Sequence, residues 1–129
     1  MLDGVDGGAP EVSVCAEVVV QAGHDFYDFE AKYIGGSDLV VPADLPADVQ
    51  EQVRLLAAVA YDALGCEGLA RADFFVLPDG SVLLNELNTM PGFTPTSMFP
   101  LLWAAQGVDY PELVDRLLKA AVERPLGLR

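Results

Sequence analysis

Basic side chains are scarce in this 129-residue chain, seven Lys and Arg against twenty Asp and Glu, for a net charge of -13. That balance excludes unaided binding to nucleic acid, whose phosphates need clustered cations. It would repel a nucleotide too, so Lys32 and Arg71 stand out among the few cations. Cysteine is nearly absent. Cys15 and Cys66 lie far apart and form no C-x-x-C pair, which argues against a disulfide framework or zinc ribbon and leaves two reduced packing residues. His24 is the single histidine; it cannot by itself build a zinc site or a conventional triad, and it reads as a loop residue. No stretch of about 18 apolar residues is free of charge, and residues 1–20 carry no basic start before an apolar run. Neither a membrane span nor a signal peptide is expected, and the chain reads as cytoplasmic.

What the chain does have is apolar content, 52%, enough for one domain with a core. Residues 1–10 (MLDGVDGGAP) read as a loop that enters the fold midway, and 11–129 as the domain proper. Val12 to Val20 is β-branched and apolar and reads as a strand. Residues 21–44 run without periodicity, and such long connections are often functional lids. Between Pro46 and Leu64, apolar residues recur at helical spacing, with Asp44 as the cap and Gly65 as the stop. Leu69–Leu77 and Ser81–Asn88 read as strands joined by the turn Pro78-Asp79-Gly80, and two helices follow, near Ser97–Gln106 and Pro111–Ala121. The order suggests an α+β fold, an antiparallel sheet with flanking helices.

The hairpin concentrates polar groups. With Asp79 and Gly80 central in a two-residue turn, Leu77 faces Val82, Phe75 faces Leu84, Asp73 faces Glu86 and Arg71 faces Asn88. Carboxylates placed directly opposite each other repel, by up to about 1 kcal/mol, so a cation should sit between them. Asp73, Glu86 and the Asn88 amide are hard oxygen donors of the kind magnesium takes, completing its shell with water and phosphates. From the hairpin alone, the same residues fit equally well an Arg71 ion pair on a solvated face, and a one-residue slip would part the acids. Beyond Asn88, the loop Thr89 to Ser97 delivers Ser97 to a helix start, where it could cap the helix or help bind an anion.

Taken together, FYDFEAKY (Phe26 to Tyr33), VPADL (Val41 to Leu45), GLARADFF (Gly68 to Phe75) and NELNTMPGFTPTSMFP (Asn85 to Pro100) resemble the C-terminal part of D-alanine:D-alanine ligases, in the ATP-grasp superfamily. The resemblance covers nearly the whole chain. It implies an incomplete C-terminal ATP-grasp subdomain in which Asp73, Glu86 and Asn88 ligate two magnesium ions, with manganese as the alternative ion. It further implies that Arg71 stabilises oxyanion charge, that Lys32 reaches the ATP γ-phosphate with Phe26 in the same nucleotide-binding segment, and that Tyr33 closes that segment over the second substrate. Ser97 and the Gly92 backbone would hold a substrate carboxylate. ATP and D-alanine are the implied partners, with D-alanyl-D-alanine for peptidoglycan precursors as the product; the EAKY tyrosine favours a dipeptide over a depsipeptide.

Family members also carry N-terminal and central domains, and the parent resembles a homodimer. The 129 residues alone are therefore expected to be inactive as a ligase, and the strand at Val12 to Val20 to present an open edge that invites self-association. A nonenzymatic nucleotide-metal binding module and another ATP-grasp carboxylate-amine ligase are the competing readings.

Overall fold

A computed structural model describes residues 1–4, 8–20 and 37–124. Strand β1 (Glu17–Val20) pairs antiparallel with β2 (Ser37–Val40), helix α1 (Ala47–Ala63) follows, and β3 (Arg71–Val76) pairs antiparallel with β4 (Val82–Asn88). Helices α2 (Met98–Ala105) and α3 (Tyr110–Glu123) pack together at the C-terminal end. The expected α+β class holds: among the described residues there are two small antiparallel sheets, with α1 packed against the β3–β4 hairpin.

Several boundaries differ from expectation for identifiable reasons. The first strand is shorter than Val12 to Val20, because its partner meets Pro42 just beyond Val40, and proline has no N–H for a ladder. The stretch 21–44 is not one structureless lid, since Ser37–Val40 forms β2. Asp44 does not cap α1: the N-cap is Pro46, whose carbonyl accepts from Gln50 N–H at 3.0 Å. Gly65 does end α1, at φ +61°. Near the start of the chain, Leu2 bridges both Glu11 and Leu69, and Met1 and Leu2 are each 4% exposed.

Those two buried residues link two apolar clusters. Leu2 packs with Phe99, Trp103, Val108 and Leu113 beneath α2 and α3. Met1 packs with Ala57, Tyr61 and Ala70 between α1 and the β3–β4 hairpin, where Ala72, Phe74 and Leu87 close the layer. Each buried aliphatic or aromatic side chain contributes about 1.5–3 kcal/mol by leaving water. Asp3 then ties the ends, accepting from Tyr61 Oη at 2.6 Å, Gly68 N–H at 2.7 Å and Arg124 Nη2 at 3.2 Å. Cys15 and Cys66 are both free thiols, and burial pushes the Cys15 thiol up, away from reactivity. None of the described helices is long and apolar enough to cross a membrane.

Candidate functional site

The β3–β4 hairpin turns one face toward the core, where Ala72, Phe74 and Leu87 are partly buried, and sets its polar pairs on the other. Ala72 and Leu87 are paired and turn toward α1, so the flanking pairs Asp73–Glu86 and Arg71–Asn88 project from the opposite face. Both polar pairs stand in the register expected from the sequence. The apolar end does not: Val76 faces Val82, Phe75 faces Leu83 and Phe74 faces Leu84. The cause is the turn. Leu77 and Ser81 flank a three-residue loop, with Gly80 N–H donating to Leu77 O at 2.9 Å and Gly80 at φ +85°, a conformation glycine reaches without strain. That loop slips the register by one, and a bulge at Asn85 restores it before Glu86.

Arg71 grips Asp73 with both ends of its guanidinium, Nε to Oδ1 at 2.7 Å and Nη2 to Oδ2 at 2.8 Å. Nη2 also lies 3.5 Å from Glu86 Oε1. The cation expected between the two carboxylates is thus Arg71 itself, and it is mostly covered, its side chain 16% exposed against 49% for Glu86. A bidentate arginine fixes both partners in one plane. Asn88 Oδ1 accepts from Met90 N–H at 2.8 Å, which sets the amide's orientation.

The donor set fits magnesium. A carboxylate offers about four acceptor positions and an amide oxygen two, so Asp73 retains capacity beyond Arg71, Asn88 beyond Met90, and Glu86 is largely open. Among the described residues no group of three or more His, Cys, Asp or Glu is placed to hold a metal. Two carboxylates and an amide suit an ion that relies on phosphates and water for the rest of its shell.

The second constellation lies in the loop after Asn88. Ser97 occupies the N-cap position of α2, yet its side chain makes no capping bond. Its Oγ instead accepts from Thr94 N–H at 3.0 Å and lies 2.8 Å from Thr94 Oγ1, with Thr96 Oγ1 3.3 Å further along. Gly92 lies against it: a Cβ there would stand 3.1 Å from Ser97 Oγ. Ser97 and Gly92 are therefore neighbours, as expected, and Thr94 and Thr96 are participants the sequence reading missed. Their only signal was the run of hydroxyls in TPTS. Phe26, Lys32 and Tyr33 fall outside the described residues.

Because Ser97 does not cap, Ser97→Ala should lower the stability of the chain by less than about 0.5 kcal/mol, against about 1 kcal/mol for a true cap. The Thr94 N–H it releases is exposed and passes to water. Urea denaturation of the two chains reads the difference.

The family model described as D-ala D-ala ligase C-terminus matches residues 3–119. The chain belongs to that family. Within it, the D-alanine--D-alanine ligase of Kineococcus radiotolerans is 56% identical over 134 residues, covering 100% of this chain and 36% of its own length. Among solved structures, the VanG D-Ala:D-Ser ligase of Enterococcus faecalis aligns with TM-score 0.76 at 32% identity, over 92% of this chain and 34% of that one. The D-alanine--D-alanine ligase of Bacillus anthracis complexed with ATP aligns with TM-score 0.62 at 33% identity, over 66% of this chain and 29% of that one. This member of the D-Ala–D-Ala ligase C-terminus family thus spans about a third of the length of the relatives it matches.

Proposed function

We propose that this chain is the C-terminal catalytic part of an ATP-dependent ligase that joins two D-alanines. The observation that carries the proposal is the Arg71–Asp73 pair with Glu86 directly opposite, in a chain that matches the family over residues 3–119. Completed by N-terminal and central domains, it would act as a cytoplasmic homodimer supplying dipeptide for peptidoglycan precursors. The ATP-bound neighbour supports nucleotide use.

In the reaction, a carboxylate oxygen of the first D-alanine attacks the γ-phosphorus, the bond to ADP breaks, and an acyl phosphate forms. The amine of the second D-alanine then attacks the acyl carbon, phosphate leaves, and the amine proton passes to the medium. Asp73, Glu86 and Asn88 would hold two magnesium ions, which when bound would neutralise charge on the nucleotide phosphates. Arg71, steadied by Asp73, would meet the oxyanion of the tetrahedral intermediate, a preorganised donor aimed where charge develops. Since the first carboxylate must be free to react, the one held by Ser97 and the Gly92 backbone belongs to the second D-alanine. Lys32 and Phe26 would close over the nucleotide and Tyr33 over the second substrate, excluding water that would hydrolyse the acyl phosphate.

The test is a completed enzyme, in which this chain replaces the corresponding segment of the Kineococcus radiotolerans ligase. It should form ADP and D-alanyl-D-alanine together, only when both ATP and D-alanine are present. A folded chimera that forms ADP with D-serine or D-lactate but not with D-alanine as acceptor would overturn the acceptor assignment. One that binds nucleotide and forms no product would favour the nonenzymatic module.

A further inference from the structure

The Ser97 hydroxyl has one proton to donate and two lone pairs to accept with. Thr94 contacts it twice. Its backbone N–H fills one lone pair at 3.0 Å, and its own hydroxyl stands 2.8 Å away. The same residue holds Ser97 from the backbone side, its carbonyl accepting from Ser97 N–H at 2.8 Å. With the backbone N–H fixed, only the direction of the hydroxyl pair is undecided.

Two arrangements exist. If Ser97 donates to Thr94, its proton is consumed inside the loop and faces no ligand. If Thr94 donates to Ser97, both serine lone pairs are filled and the serine O–H has to project outward. The Thr96 hydroxyl, 3.3 Å from Thr94 Oγ1, can then donate to the vacated threonine oxygen. Such a chain of hydroxyls polarises in one direction, each bond strengthening the next. An anion at its end selects that direction.

We propose that Thr94 is a positioning residue, whose amide and hydroxyl turn the Ser97 hydroxyl outward as a hydrogen-bond donor to the carboxylate of the second D-alanine. This rests on the reading that Ser97 holds that carboxylate. It accounts for a serine at an N-cap position that leaves its own helix uncapped. It also accounts for glycine at position 92, where a Cβ at 3.1 Å would press on the oxygen being aimed.

The test is kinetic, in the completed ligase. Thr94→Val keeps the β-branched shape and the backbone N–H and removes only the hydroxyl. It should raise KM for the second D-alanine about tenfold, the scale of one net hydrogen bond. The kcat and the KM for ATP should stay within about twofold, and Thr94→Ser should restore the parent KM. An unchanged KM in Thr94→Val, or a Thr94→Ser variant as poor as Thr94→Val, would overturn the role of Thr94. Ser97→Ala separates the two levels. If it leaves the second KM unchanged, the carboxylate reading itself fails; if it raises that KM while Thr94→Val does not, only the positioning role fails.

Discussion

Replacing Arg71 with Met in the completed ligase is expected to lower kcat by about a hundred- to a thousand-fold, the scale of losing one oxyanion donor, without weakening the binding of magnesium. The two halves of that expectation come from the same geometry. Arg71 occupies the space between Asp73 and Glu86, bonded to both oxygens of one and 3.5 Å from the other. It is therefore a competitor for the oxygens a divalent cation would use, as well as the donor proposed for the reacting carbonyl. Removing it leaves two carboxylates opposite each other across the strands, a pairing that costs up to about 1 kcal/mol. The Arg71→Met chain should melt lower than the parent in metal-free buffer and recover more on addition of Mg2+. Glu86→Gln gives the opposite pattern, since it relieves the repulsion and removes a ligand: little change in melting without metal, and a smaller response to Mg2+. Thermal melts of the three chains with and without Mg2+, beside kcat in the completed ligase, read both halves. An Arg71→Met chain that responds less to Mg2+ than the parent would sink the assignment of the hairpin face as a metal site.

The polar end of that hairpin was legible because its residue types alternate, Arg71 and Asp73 on one strand and Glu86 and Asn88 on the other. The apolar end was not. Pro78-Asp79-Gly80 reads as a turn at sight, but whether two or three residues form the loop depends on Gly80 adopting φ +85°. That choice moves every pair beyond it by one place. The bulge at Asn85 undoes the slip, and nothing local to Asn85 announces it, since a bulge answers to the partner strand. Strand β2 was missed for a similar reason: four residues behind Gly35-Gly36 carry too short a pattern to show a period of two. Ser97 shows a different limit. Spacing placed it correctly at the start of α2, but its oxygen turns back to Thr94, a choice that spacing does not encode. The roles of Phe26, Lys32 and Tyr33 rest on the motif that contains them.

The stability of the isolated 129-residue chain, prepared with a free amine at Met1, should rise by about 3 kcal/mol between pH 5 and pH 8. The Met1 amino group lies inside the cluster formed with Ala57, Tyr61 and Ala70, where it donates to Ala70 O at 2.7 Å while the Met1 carbonyl accepts from Ala70 N–H at 3.1 Å. Burial disfavours its charged form and pushes its pKa from 8.0 down to about 5. Across the interval between those values the unfolded chain holds a proton that the folded chain does not, so stability increases with pH there. Below the lower value both states are protonated and the full cost of burying the charge applies. At about 1.36 kcal/mol per pH unit, with each state half titrated at its own end of the interval, the difference reaches about 3 kcal/mol, a large share of the roughly 5–15 kcal/mol that holds a domain together. Asp and Glu in their usual range titrate below this window. An N-acetylated chain is the control, because it keeps one N–H for Ala70 O and has no proton to shed. Urea midpoints at pH 5 and pH 8 should converge on acetylation, with the free chain the weaker at pH 5. An acetylated chain with the same pH slope as the free one would mean that the amine reaches water and that Met1 is not packed against Ala70.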